Sequence, residues 1–155
     1  MRCGARSRIN VPTASDGGLV YLDASALVKV LVEERESAAL RAWIADAPDR
    51  LSSVVTAVEL RRAARRAAES ASPGDARELE RQTEIALSGL QLLALDDQIA
   101  KRAAAIDPPA LRSLDAIHLA TALSIDELQH FVTYDVRLAE AASEAGLAVA
   151  MPGLR

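Results

Sequence analysis

The chain has 155 residues, half of them hydrophobic and 26% charged, which is one domain's worth of polypeptide with enough apolar material for its own core. A net charge of −4 excludes global attraction to nucleic acid, so any phosphate contact must come from a local basic cluster. With aromatics at only 3%, recognition by stacking bases on rows of exposed rings is excluded too.

Cys3 is the single cysteine, so no disulfide framework exists and a reducing, cytoplasmic compartment is expected. No apolar run approaches the length of a membrane span, and no apolar segment follows Arg2, Arg6 and Arg8 as a secretory signal requires. Residues 1–18 show no periodicity and read as a flexible N-terminal tail, with one domain over 19–155.

The domain opens on LVYLDAS, in which four strand-forming residues run into Asp23 and a helical pattern starts near Ser25. Residues 26–34 read as an apolar helix and residues 37–47 as a second, ending before Pro48. LSSVV (51–55) is expected as the second strand, with Thr56 capping a helix over 57–70. Ser72-Pro73-Gly74 reads as a turn, and a long helix follows from Asp75 to Ser88. QLLAL (91–95) is the third strand, and Asp96-Asp97 opens a helix through Ile106. Residues 111–125 are nearly all apolar after the first turn and predict a buried helix with Ser113 as its cap. FVTY (131–134) is the fourth strand, residues 136–145 a helix closed by Gly146, and LAVAM (147–151) the fifth strand. Short apolar strands alternating with helices predict a three-layer α/β/α sandwich around a mostly parallel sheet.

Four acids sit in unusual places within that pattern. Asp23 and Asp135 each stand between the end of a strand and the start of a helix, where they could cap the helix or serve as ligands at the carboxyl edge of a sheet. Glu59 lies at the border of the apolar arc of its helix, where it needs a partner: Arg62 or Arg66 as an ion pair, or a metal ion. Asp115 lies in the first turn of the most apolar helix, where the helix dipole favours it, yet it shares a face with Leu119 and Ala122. Together the four would raise one another's pKa unless a divalent cation neutralised them. An all-oxygen donor set of this kind suits Mg²⁺ or Mn²⁺, and the chemistry such an ion supports is hydrolysis of a phosphodiester. Asp96-Asp97 fits helix capping; Glu33-Glu34 and Asp126-Glu127 read as solvated.

In order and spacing, LVYLDASALVKVLVEE, TAVELRRA, LRSLDAIHLATAL and FVTYD resemble the PIN-domain ribonucleases, and among them the VapC toxins of bacterial toxin–antitoxin pairs. The likeness runs from Leu19 to about Pro152. It implies a five-stranded sheet of order 3-2-1-4-5, in which strands one and four are neighbours. It implies Asp23, Glu59, Asp115 and Asp135 as the acidic quartet, with Ser25 and Thr133 as supporting hydroxyls. It also implies Mg²⁺- or Mn²⁺-dependent endonucleolytic cutting of RNA, homodimerisation and inhibition by a cognate VapB antitoxin. Some relatives carry another acid after the last of the four, where this chain has Val136 and Arg137.

On this reading Asp23, Asp115 and Asp135 hold the metal, directly or through water, while Glu59 binds it or orients the attacking water. Arg62, Arg66 and Arg112 are the RNA-binding candidates, placed to hold phosphates. His118 reads as a core residue more readily than as a site residue. A receiver domain also gathers acids at strand ends, but it wants an acid pair after strand one and a lysine after the last strand. Here Asp23 is single and no lysine follows Lys101. A non-catalytic interaction domain would be expected to have lost one of the four acids. DNA or structured ribosomal RNA stays open as a target.

Overall fold

The computed structural model describes residues 18–47 and 49–154. The expected tail and Cys3 therefore lie outside the described residues, save for Gly18. Five strands and seven helices alternate: β1 (Leu19–Leu22), α1 (Ala24–Leu31), α2 (Ser37–Ala45), β2 (Asp49–Ser53), α3 (Val55–Ala68), α4 (Pro73–Ser88), β3 (Gln91–Leu93), α5 (Asp97–Ala104), α6 (Ser113–Ala122), β4 (Leu128–Val132), α7 (Val136–Glu144) and β5 (Val149–Ala150).

The strands form one sheet of order β3-β2-β1-β4-β5, and every pairing in it is parallel. β1 is its centre, and the direction of strand order reverses between β1 and β4. All carboxyl ends therefore lie on one edge, with those of β1 and β4 side by side.

Alternation along β1 divides the core in two, because successive side chains leave a strand on opposite faces. Val20 and Leu22 join Leu27, Leu40, Ile44, Leu60 and Val132 on one face. Tyr21 joins Leu51, Leu119, Phe131 and Leu138 on the other. Both faces are covered by helices, which is why the strands read as continuous apolar runs. Within the second layer Tyr21 and Phe131 stack, with ring centroids 5.3 Å apart. Among the described residues no helix is long and apolar enough to cross a membrane.

Several boundaries differ from the sequence expectation. β2 starts at Asp49 and stops at Ser53; Val54 takes the cap position of α3 and Val55 is its first residue, despite their β-branching. Thr56 is then no cap. It is fully buried inside the first turn of α3, where its hydroxyl lies 2.6 Å from Ser52 Oγ. Ser72 does not form a free turn with Pro73 and Gly74 but caps α4, accepting from the Asp75 amide at 3.2 Å, and Pro73 occupies the first helical turn. β4 begins at Leu128 and ends before Thr133, so the fourth strand both starts and stops earlier than FVTY suggests. Gly146 follows α7 with φ at +92°, a left-handed conformation that suits glycine. Lys29 is paired with Glu36 at 3.0 Å and with Glu34.

Leu22 is 1% exposed in the strand that carries Asp23. Leu22→Ala should lower the unfolding free energy by about 2–5 kcal/mol, read as a fall in the urea midpoint. Val54→Ala, at an exposed position, should change it by no more than about 0.5 kcal/mol.

Candidate active site at the carboxyl edge of the sheet

Asp23 follows β1 directly, and its amide donates to the Val132 carbonyl at 3.1 Å, extending the β1–β4 ladder by one rung. Its side chain points into the protein and the residue is only 3% exposed. A buried carboxylate has to be met by donors, and three reach it through four contacts. Ser25 Oγ lies 2.7 and 2.9 Å from its two oxygens, Thr133 Oγ1 donates to Oδ2 at 2.7 Å, and the Ala26 amide donates to Oδ1 at 2.9 Å. Ser25 in turn accepts from the Tyr134 amide at 2.8 Å. Burial pushes the Asp23 carboxyl above its ordinary range, against the lowering pull of Thr133, the nearby His118 and Ser25.

Asp135 stands two residues beyond Thr133 and donates its amide to Thr133 Oγ1 at 3.1 Å. The two oxygens of its side chain do different things. Oδ1 accepts from the Leu138 amide at 3.1 Å and caps α7, while Oδ2 accepts from Arg112 at 2.7 Å. Asp135 therefore caps α7 and bonds Arg112 at once, and Asp23 likewise caps α1 while accepting from Ser25 and Thr133.

Asp115 comes to the same place from the first turn of α6. The cap position of that helix is Arg112, not Ser113, and its side chain makes no capping bond. Instead the guanidinium reaches over the helix start: Nε donates to Asp115 Oδ2 at 2.9 Å and Nη2 to Asp135 Oδ2 at 2.7 Å. One cation thus joins two of the four acids, and both carboxylates hold the Arg112 pKa above its ordinary value, Asp115 foremost. The Arg112 side chain is 71% exposed, so water screens both pairs.

Glu59 meets neither Arg62 nor Arg66. Its Oε2 lies 2.8 Å from Nε2 of His118, which is itself buried and has Nδ1 2.8 Å from the Tyr21 hydroxyl. His118 is buried in the core, as the sequence reading favours, and bonds Glu59 as well; its partner Tyr21 reads in the sequence only as a strand residue. A signal was there: His118 is three residues past Asp115, one turn deeper on the same helix face. Arg62 and Arg66 are exposed on α3 and make no ion pair among the described residues, whereas Arg61 is committed to Glu84 by two bonds.

The four acids are linked without touching one another. Thr133 joins Asp23 to Asp135, Arg112 joins Asp135 to Asp115, and His118 acts electrostatically on Asp23 while bonding Glu59. Among the described residues, no three His, Cys, Asp or Glu side chains already stand where they could hold a metal ion together. The donor chemistry nevertheless fits a hard divalent cation. The oxygens are all carboxylate or hydroxyl, and Asp115 and Asp135 lie close enough to share the single positive charge of Arg112.

Comparison with known proteins identifies the family. The PIN domain profile matches residues 20–144. Two Mycobacterium tuberculosis proteins, Ribonuclease VapC35 and Ribonuclease VapC47, are 44% and 40% identical to the chain over 140 residues, covering 87% of it and 98% of each relative. Among solved structures, a toxin-antitoxin complex from Klebsiella pneumoniae superposes with a TM-score of 0.61 at 25% identity, covering 86% of this chain and 97% of that one. VapBC-5 from Mycobacterium tuberculosis, at 24% identity and a TM-score of 0.57, shares the fold. These matches set aside the receiver domain. With identity sustained over nearly the whole of each relative, and the strand order that a PIN domain implies, the chain belongs to the PIN-domain family, among its VapC members.

Proposed function

We propose that the chain is a VapC-type endoribonuclease toxin, dependent on Mg²⁺ or Mn²⁺ and neutralised by a cognate VapB-type antitoxin. The observation that carries the reading is the bridge from Arg112 to Asp115 and Asp135, beside a buried Asp23. Carboxylates from β1, α6 and the β4–α7 junction reach one edge of the sheet there, and two already share a cation. The relatives named as ribonucleases match over 87% of the chain.

Asp23, Asp115 and Asp135 would hold the ion, directly or through water. The ion supplies charge neutralisation at the scissile phosphate and at the departing oxygen. Glu59 joins them as a further ligand or orients the attacking water and accepts its proton. In-line displacement by that water leaves a 5′-phosphate and a 3′-hydroxyl. Arg112, once it lets go of the acids, is placed to grip the phosphate with two parallel donors, and Arg62 and Arg66 extend the positive track. A metal-free route through paired histidines has no support. His118 packs with Tyr21 on one face of the sheet, and His130, beside Trp43, belongs to the other.

The partner reading draws on the rim of the site. Val58, Leu114 and Val136 each adjoin a site acid in sequence and are 60%, 44% and 60% exposed. Apolar side chains left in water around a charged centre suit a protein cover, and the Klebsiella pneumoniae neighbour is a toxin-antitoxin complex. A homodimer in the cytoplasm is the accompanying expectation.

Purified full-length chain incubated with RNA and Mg²⁺ should yield 5′-phosphate ends. Asp115→Asn should reduce cutting to the level seen in excess EDTA while keeping the wild-type circular dichroism spectrum. Full activity in that variant, or in EDTA, would refute the mechanism. Arg62→Ala and Arg66→Ala should each weaken RNA binding and lower the slope of log K against log salt by about 1, measured on a catalytically dead background.

A pH dependence follows from Asp23. Its folded pKa is raised by burial, so above about pH 4 the folded chain keeps a proton that the unfolded chain has released. The Asp23 contribution to stability in EDTA should therefore be fully present below that pH and be lost as pH rises through the raised value. Melting curves across this range should show the decline in wild type, a flatter profile in Asp23→Asn, and recovery of the wild type by Mg²⁺.

A further inference from the structure

We propose that His118 is a positioning residue for Glu59: its Nε2–H donates to the Glu59 carboxylate, and the Tyr21 hydroxyl beneath it holds the imidazole in the tautomer that can do so. The inference rests on the ribonuclease reading and names a part of the site that the acidic quartet leaves out.

His118 is 1% exposed, yet both ring nitrogens have partners at 2.8 Å, Glu59 Oε2 on one side and the Tyr21 hydroxyl on the other. A neutral imidazole has one donor and one acceptor. Glu59 retains contact with solvent, with a side-chain exposure of 24%, and as a carboxylate it can only accept. If Nε2 were bare, two lone pairs would face each other at hydrogen-bonding distance, so the proton belongs on Nε2.

In the neutral ring Nδ1 is then the acceptor, and Tyr21, with its hydroxyl 2.8 Å away, is placed to donate to it. Its hydroxyl is buried, which raises its pKa well above the ordinary phenol range and keeps it a donor. Tyr21 is itself fixed by stacking on Phe131 across the β1–β4 pair and by an edge contact to the His118 ring, at 5.9 Å between centroids. The outcome is a rigid chain running from the centre of β1, through α6, to the one site acid carried by α3. Glu59 has no other hydrogen-bond partner among the described residues, so without His118 its carboxylate would be free to change rotamer. Outer partners that orient an active-site group in this way are worth about 10–100-fold in affinity or activity.

Two measurements test this. In wild-type chain labelled with ¹⁵N-histidine, long-range proton–nitrogen correlation should show the His118 proton on Nε2; a bare Nε2 overturns the proposal. In RNA cleavage with Mg²⁺, His118→Leu should lower kcat by about 10–100-fold with little change in KM, and His118→Gln, which keeps a donor near the position of Nε2, should recover most of it.

The double variant Tyr21→Phe/His118→Leu removes both buried polar partners, so it should melt close to wild type and still cut slowly. A purely structural role predicts that this variant regains wild-type kcat, and that result would overturn the proposal. Wild-type chain with no ribonuclease activity would remove the reading on which it rests. Active wild type with an equally active His118→Leu would remove this inference alone.

Discussion

A carboxylate removed from water has to be compensated where it stands, and in this protein the compensation of Asp23 ties the site together. Its donors come from two places: Ser25 and the Ala26 amide from the start of α1, and Thr133 from the end of β4. Ser25 also accepts from the Tyr134 amide, so each element that follows a central strand is anchored in the other. Only a parallel β1–β4 pair, with both carboxyl ends on one edge, lets these short side chains meet. The burial that raises the Asp23 pKa also makes the residue receptive to a cation, because an added positive charge offsets what desolvation costs the carboxylate.

Around that anchor the remaining acids are held at arm's length. Arg112 carries one positive charge between Asp115 and Asp135, which keeps two like charges together at a protein edge. Exposed and screened, this bridge contributes little to stability. Its consequence is organisational: the two carboxylates are gathered beneath one exposed guanidinium. Glu59 is gathered separately through His118, by a bond reaching from the interior rather than from solvent.

α6 is where packing and chemistry meet. Ala116, Leu119, Ala120 and Ala122 are buried in the centre of the fold, and the same helix delivers Asp115 at its exposed start and His118 one turn deeper. Small residues let α6 lie close to the sheet. That closeness brings the imidazole within reach of Tyr21 on β1. A helix this apolar would tolerate a polar pair only where both members are satisfied, as Tyr21 and His118 are.

The sequence by itself determined the alternation of strands and helices, the parallel sheet and the four acids worth watching, because hydrophobic period and strand-end position are local properties. Local rules also made Asp23 and Asp135 helix caps, and both are. Boundaries were less legible: Val54 and Val55 look like strand by β-branching, but pairing with β3 ends at Ser53, Val54 takes the cap position of α3 and Val55 begins it. Partners were the least legible. Arg62 and Arg66 lie one and two turns from Glu59 along the chain, whereas His118, 59 residues away, is what it bonds. Tertiary structure alone decided that contact, together with the Arg112 bridge and the burial of Asp23, because each depends on which strands lie side by side, and strand order is set by the packing of the whole domain.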